Sequence, residues 1–472
     1  MRLTRRRFLV SASALALGCA PGTARLGGKG RNADDTGFDT DSDTDTDTDI
    51  DDPTSTWTYA PGPEPDPWEP PGAFDQSAFP FGIQSGDAQS ESAVLSVRTF
   101  EAAVSLTVVK GVEDGWEEVL VLEDLPADVD VVQVELIDLV PDTTYSFAFH
   151  TADGRRSWPG RFRTALYEGQ RRIIRFGATS CLGGNEPWES LTHASGELFD
   201  FFVLLGDTIY ADSGWDEPDY EGDWENALSQ RGLQDVTAST SVIATWDDHE
   251  VDNDWSFTDP GMVQQAQESL ESFRRAIPMI RGTEGSTLWR RLTWGDSVDV
   301  FVLDCRGERM NGRYISVEQM DWLKDGLLNS TARFKIICNS VPITDMDDVY
   351  FGVAADDRWD GHQAERNELL DHIQDNTIEG ILFIAGDFHW GASCSVGNAG
   401  TRHDNLREVF CGPGGSLINP LLWVFDPPAS HYDMVIKQYN FVAFECDPDA
   451  GTIRVLFIND DGNIIDQQTL NL

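Results

Sequence analysis

Four short stretches of this sequence hold residue types that bind hard cations: Ser180-Cys181, Gly206-Asp207-Thr208-Ile209-Tyr210, Asp247-Asp248-His249-Glu250 and Gly386-Asp387-Phe388-His389. A carboxylate can bridge two cations through its two oxygens, and Asp207 is the candidate for that place. A thiolate or phenolate stabilises trivalent iron, which Cys181 and Tyr210 are placed to do. Asp and Asn oxygens with water suit a hard divalent ion such as calcium. Each residue alone has a plainer reading: Cys181 as a buried apolar side chain, Tyr210 as packing, Asp247 as a cap, His389 as a core histidine. The four stretches are harder to dismiss together, because each directly follows an apolar run.

Those runs are the elements that must position the chemistry. Residues 173–176, 201–205, 242–246, 298–303, 335–338 and 381–385 are nearly continuous apolar segments, as expected of strands buried on both faces. Helical patterns lie between them at 264–276, 317–329 and 363–375, and 441–445 with 452–459 reads as a closing hairpin. This is the pattern of an α/β domain, in which functional residues gather at the C-terminal ends of strands. Upstream, 79–165 alternates in short runs (93–98, 105–109, 131–136, 145–149) broken by Gly, Pro and Asp, the pattern of a small antiparallel sandwich with a structural role.

The chain has 472 residues, 40% of them hydrophobic, enough for two domains with sizeable cores. Its formal net charge is -47, part of it in the Asp/Thr run 34–52. That sign repels nucleic acid and anionic membranes, so no nucleic-acid scaffold is expected as a partner. It also repels phosphate esters at long range, so a phosphate site must carry local positive charge, which metal ions can supply. The run 25–75, first Asp/Thr-rich and then Pro-rich, has little to bury and reads as a disordered linker.

At the N-terminus Arg5-Arg6-Arg7-Phe8-Leu9 resembles a twin-arginine export signal, and the apolar stretch 8–17 is too short to span a bilayer. An ordinary secretory signal is the alternative. Ala16-Leu17-Gly18-Cys19 resembles a lipoprotein cleavage box, which would leave a lipid anchor on Cys19 as the membrane contact. Cleavage after Ala16 or Ala20 would instead release a soluble periplasmic product. The expected organisation is a signal at 1–24, a linker at 25–75, a β-sandwich at 76–167 and the α/β domain at 168–472, placed in the periplasm or at the cell surface.

In their order, the motifs resemble those of the PhoD-like alkaline phosphatases, a branch of the calcineurin-like metallophosphoesterases. The resemblance runs from Phe79 to the C-terminus. It is carried by Phe81-Gly82-Ile83-Gln84-Ser85-Gly86-Asp87, Ser180-Cys181, the stretch from Gly206 to Asp212, that from Thr245 to Trp255, Leu303-Asp304-Cys305-Arg306, that from Trp359 to Arg366, and Gly386-Asp387-Phe388-His389-Trp390. It implies a metallophosphoesterase-type β-sandwich flanked by helices and preceded by a small all-β sandwich. The turn 139–145 is similar to that before a core Tyr in fibronectin type III-like domains. The resemblance further implies iron, ferric in character, on Cys181, Asp207, Tyr210 and His389. Asp207 would bridge to calcium, or another divalent ion, shared with Asp387 and with Asp248 or Asn253, of which Asn253 is slightly favoured. His249 would sit near the phosphate or leaving group. Arg306 and Arg366 would contact phosphate or support the site. Cys305 and Glu308, and Asn339-Ser340 before Val341-Pro342, depart from the family's pattern and bear on the substrate pocket.

The function implied is hydrolysis of small phosphate esters, with a hydroxide activated by two cations as nucleophile and no phospho-enzyme. The alternatives are a phosphodiesterase acting on nucleotide, lipid or polymer phosphodiesters, and a non-catalytic surface-binding lipoprotein. Export also suggests disulfides, with Cys394 and Cys411 as a candidate pair.

Overall fold

A computed structural model describes residues 22–25, 65–212, 218–256, 261–281, 287–309, 312–346, 355–424 and 426–472. The twin-arginine stretch, Cys19 and the Asp/Thr run lie outside them.

Two sheets stack face to face in the C-terminal region, with helices on both outer faces. In the first sheet, Ile174–Thr179, Phe201–Leu205 and Ser241–Thr245 are parallel neighbours, extended by the antiparallel strands Asn440–Asp447, Thr452–Asn459 and Ile464–Asn471. In the second, Val298–Val302, Phe334–Cys338, Ile381–Ala385 and Arg407–Phe410 are parallel neighbours. Strand side chains alternate between faces, which explains the continuous apolar runs. Phe201, Val203 and Leu205 point into the core between the sheets, where they meet Val300, Ile336 and Leu382. Phe202 and Leu204 point the other way, against helices Glu189–Ala194, Tyr220–Ser229, Arg231–Ser239 and Met262–Ala276. On the far side Phe301, Ile337 and Phe383 pack against Val317–Asn329 and Gln363–Asp375.

The N-terminal strands form a sandwich of their own, with Leu95, Val134, Leu106, Phe147 and Phe162 in its core. The amide of Val140 donates to the Tyr145 hydroxyl at 2.8 Å, fastening the turn to a fully buried Tyr. One sheet of this sandwich is continuous with the first sheet of the α/β region. Ile83–Gly86 pairs in parallel with Ser241–Thr245, placing Ser85 opposite Ser241 and Gly86 opposite Val242. The two regions therefore share backbone hydrogen bonds as well as packing. From Pro65 the Pro-rich segment lies on the sandwich, where the Trp116 indole donates to the Asp66 carbonyl at 2.7 Å.

The Cys394–Cys411 pairing is corrected. All six described cysteines are free and buried. Cys394 stands opposite Glu408 in register, so Cys411, three residues further along, faces the other side of the sheet. Cys394 belongs to the helix-covered core and Cys411 to the core between sheets, and no disulfide spans that separation.

Candidate metal centre

The parallel strands of both sheets end at the same rim, and the chain turns sharply there. Cys181, Asp207, Asp387 and His389 all adopt left-handed backbone conformations, with φ of 55°, 54°, 67° and 56°. Non-glycine residues seldom do so, and four together mark backbone held against its preference by its surroundings. Gly206 has φ 98°, and a Cβ there would lie 2.5 Å from that of Asp247, so only glycine lets these two loops touch.

Much of the holding is done by Glu250, which sequence reasoning passed over. This buried carboxylate accepts the amides of Asp207 (3.0 Å), Thr208 (2.7 Å) and Asp247 (2.8 Å), clamping two loops with one side chain. Burial first, and then the charge of Asp207, push its pKa up to about 8 against the pull of those amides.

The loops bring Cys181, Asp207 and His389 together, with one ligand atom from each within 4.8 Å of the others. Tyr210 completes the group. Its hydroxyl donates to Asp207 Oδ2 at 3.2 Å and lies 3.1 Å from His389 Nε2. His389 Nδ1 donates to the Leu417 carbonyl at 2.7 Å, which aims Nε2 at the cluster. Asp207 is 1% exposed, and its Oδ1 is buried without a hydrogen-bond partner. A buried carboxylate oxygen left unpaired is costly unless a cation takes it. The protons tell the same story. Burial raises the Cys181 thiol to about 11, and burial with the charges of Asp207 and Cys181 raises the Tyr210 phenol. Burial opposes a charge on His389, yet Cys181 and Asp207 lift it to about 12. Thiol, phenol, carboxylate and imidazole in one pocket form a donor set for a metal cation.

Asp207 is shared with a second group, Asp207, Asp248 and His249, and Asp248 with a third, Asp247, Asp248 and Asp387, each within 4.8 Å. Burial and mutual repulsion raise Asp247, Asp248 and Asp387, as expected of carboxylates that cannot all ionise without a cation. Asp247, read from sequence as a candidate cap, belongs to this group. Asp357 joins a further group, within 4.8 Å of Asp248 and Asp254. Its place just before the Trp359 motif was the only signal that could have found it. Of the two alternatives for the second cation, Asp248 is 2% exposed and shared among three groups, whereas Asn253 is exposed on the following turn.

His249 lies at the edge, its ring 4.2 Å from that of Tyr210. Its Nδ1 is 2.7 Å and 2.8 Å from the two oxygens of Asp212, a partner not identified from sequence. Burial works against its charge, but Asp212, Asp207 and Asp248 carry its pKa up to about 10.

Both arginines are buried. Arg306 is 0% exposed, with Nε 2.6 Å from Asp247 and Nη1 2.5 Å from Asp357. It supplies positive charge among buried acids and does not reach solvent. Arg366 is buried and donates to the carbonyls of Ile343 (2.6 Å) and Val396 (2.8 Å), tying two loops together.

Comparisons with known proteins point to one family. The family model for PhoD-like phosphatases matches residues 176–416. Alkaline phosphatase D of Bacillus subtilis (strain 168) is 24% identical over 418 residues, covering 71% of this chain and 69% of that one. A solved structure of PhoD superposes with a TM-score of 0.68 at 19% identity, covering 84% of this chain and 90% of its own. Purple acid phosphatase from yellow lupin (Lupinus luteus) seeds superposes with a TM-score of 0.61 at 14% identity, covering 82% and 74%. The chain belongs to the PhoD-like phosphatase family and is a metal-dependent hydrolase of phosphate esters.

Proposed function

We propose that this chain is an exported alkaline phosphatase whose two-cation centre takes iron on Cys181, Asp207, Tyr210 and His389, and calcium on Asp207, Asp248 and Asp387. The observation that carries this reading is the convergence of thiol, phenol and imidazole on a carboxylate with one unpartnered oxygen. Bound there, the cations would supply Lewis acidity, lowering the pKa of water and offsetting phosphoryl charge. Asp248 is preferred to Asn253 for its burial and its shared position. Asp247 is a further candidate, its Oδ2 buried and unpartnered.

The chain's own groups act around that centre. Asp212 holds His249 by Nδ1, so Nε2 is the nitrogen that gives a proton to the departing oxygen. Arg306 orients Asp247 and Asp357 through charge-assisted bonds. Glu250 keeps the Asp207 and Asp247 loops in register.

Export rests on the twin-arginine resemblance, and lipid anchoring on Cys19. Among the described residues no helix is long and apolar enough to cross a membrane. Six free, buried thiols suit a protein that folds in a reducing compartment before export.

The test is hydrolysis of a phosphate monoester and a matched diester by purified protein, before and after chelation, with iron and calcium restored. Activity that disappears on chelation and needs both ions to return supports the reading, and the ratio of rates separates phosphatase from diesterase. Full activity after chelation would sink it.

A further inference from the structure

The run Leu417-Ile418-Asn419-Pro420-Leu421-Leu422-Trp423-Val424 holds one polar residue in eight. Leu417, Leu421 and Val424 are 70%, 40% and 83% exposed, while Leu422 is buried at 3%. Single exposed aliphatics are ordinary; three within eight residues are less so.

The backbone of this run is tied to the metal centre. The Leu417 carbonyl accepts from Nδ1 of His389. The amide of Asn419 donates to the His389 carbonyl at 3.0 Å, and its side-chain amide donates to Phe388 at 3.1 Å. Asn419 also caps the short helix Pro420–Trp423 by accepting from Leu421. Lys437 holds the far end through the Leu422 carbonyl at 2.7 Å. The exposed side chains are thus mounted on a fixed rim beside a candidate ligand. On the His249 side, among the described residues, Asn253 and Asp254 are exposed next to buried Asp248.

We infer that the Leu417–Val424 rim receives the apolar alcohol part of the substrate, so that the favoured substrates are phosphate esters bearing an alkyl or acyl chain. This rests on the phosphoesterase reading of the site and narrows it. An ester whose phosphorus lies at the centre must lead its alcohol past one side or the other. The acidic side repels polyanionic groups, while the aliphatic side gains from covering a chain. Nucleotide and polyanionic polymer esters are correspondingly disfavoured.

The test is kcat/KM across ethyl, butyl, hexyl and octyl members of two series, n-alkyl phosphates and 4-nitrophenyl n-alkyl phosphates, below their micelle concentrations. The protein is loaded with iron and calcium, and whichever series it hydrolyses serves. A chain lying half-covered on the rim should raise kcat/KM about twofold per methylene, tens-fold from ethyl to octyl. Leu421→Ser with Val424→Ser should flatten the series to within a few-fold while leaving the ethyl rate unchanged. Leu421→Met with Val424→Ile should keep it steep. A flat series in the unaltered protein would overturn the inference and leave the phosphoesterase reading standing. A steep series that survives the double Ser variant would overturn the assignment to this rim. No hydrolysis of any ester with metals restored would overturn the reading beneath it.

Discussion

Asp207 and Asp247 stand at equivalent positions on adjacent parallel strands, two residues beyond the paired Leu205 and Thr245. Each is buried, and each keeps one carboxylate oxygen without a partner. Their surroundings differ. Asp207 faces Tyr210, Cys181 and His389, groups that gain or lose protons. Asp247 faces Arg306, a charge that cannot be removed. Accordingly the Asp207 carboxylate is held below its usual range, burial opposing and His389, His249 and Arg306 prevailing, whereas burial and neighbouring carboxylates leave Asp247 well above it despite Arg306. One half of the centre is made of donors that become good ligands only when a cation displaces their protons. The other carries a fixed cation that pre-orders acidic ligands and offsets only part of their charge. Such a division lets two ions of different character sit side by side.

The comparison can be broken at Asp207 first. Asp207→Asn should lower kcat/KM by about a thousandfold or more and deplete both ions, read by phosphate release and elemental analysis; a wild-type rate would refute the bridging role. Arg306→Leu should cost about 3–5 kcal/mol of stability, since it leaves Asp247 buried without its charged partner and Asp357 with Arg309 alone. Denaturant unfolding measures this, and added calcium should recover more stability in the variant than in the unaltered protein. Asp212→Asn should lower kcat about tenfold. It should also move the alkaline limb of the rate profile to lower pH, because burial already disfavours the His249 charge and Asp212 is the largest of the forces that raise it. An unmoved limb would detach His249 from the chemistry.

A further effect is on stability without metal. Glu250 binds its proton more tightly when folded, at about 8, than when unfolded, at 4.5. The folded state then holds more protons than the unfolded state between those values, so stability is fullest below about 4.5 and falls as pH rises through 8. Thermal midpoints of chelated protein should fall across that window. Metal loading should shrink the fall, because the Asp207 charge is the second cause of the shift. Equal slopes with and without metal would show that burial alone sets it.

Much of this was legible in the sequence, for a physical reason. Strands covered on both faces must be apolar throughout, so 201–205 and 381–385 announce themselves, and the polar residues that follow are rim residues. Cys181, Asp207, Tyr210 and His389 could be found that way. Glu250, Asp212 and Asp357 could not, because their roles lie in bonds to distant backbone or side chains that leave no local pattern. The burial of Arg306 was hidden for the same reason. The sheet shared by 83–86 and 241–245 joins segments more than 150 residues apart, where no periodicity can show it. The cysteine pairing fails by parity, which becomes visible only when the register of Cys394 with Glu408 is known.

The division of the centre is tested most directly by the metal content of two variants purified alongside the unaltered protein, Cys181→Ser and Asp248→Asn. Cys181→Ser is expected to lose iron and keep calcium, and Asp248→Asn to lose calcium and keep iron. Loss of the same ion from both, or of neither, would contradict it.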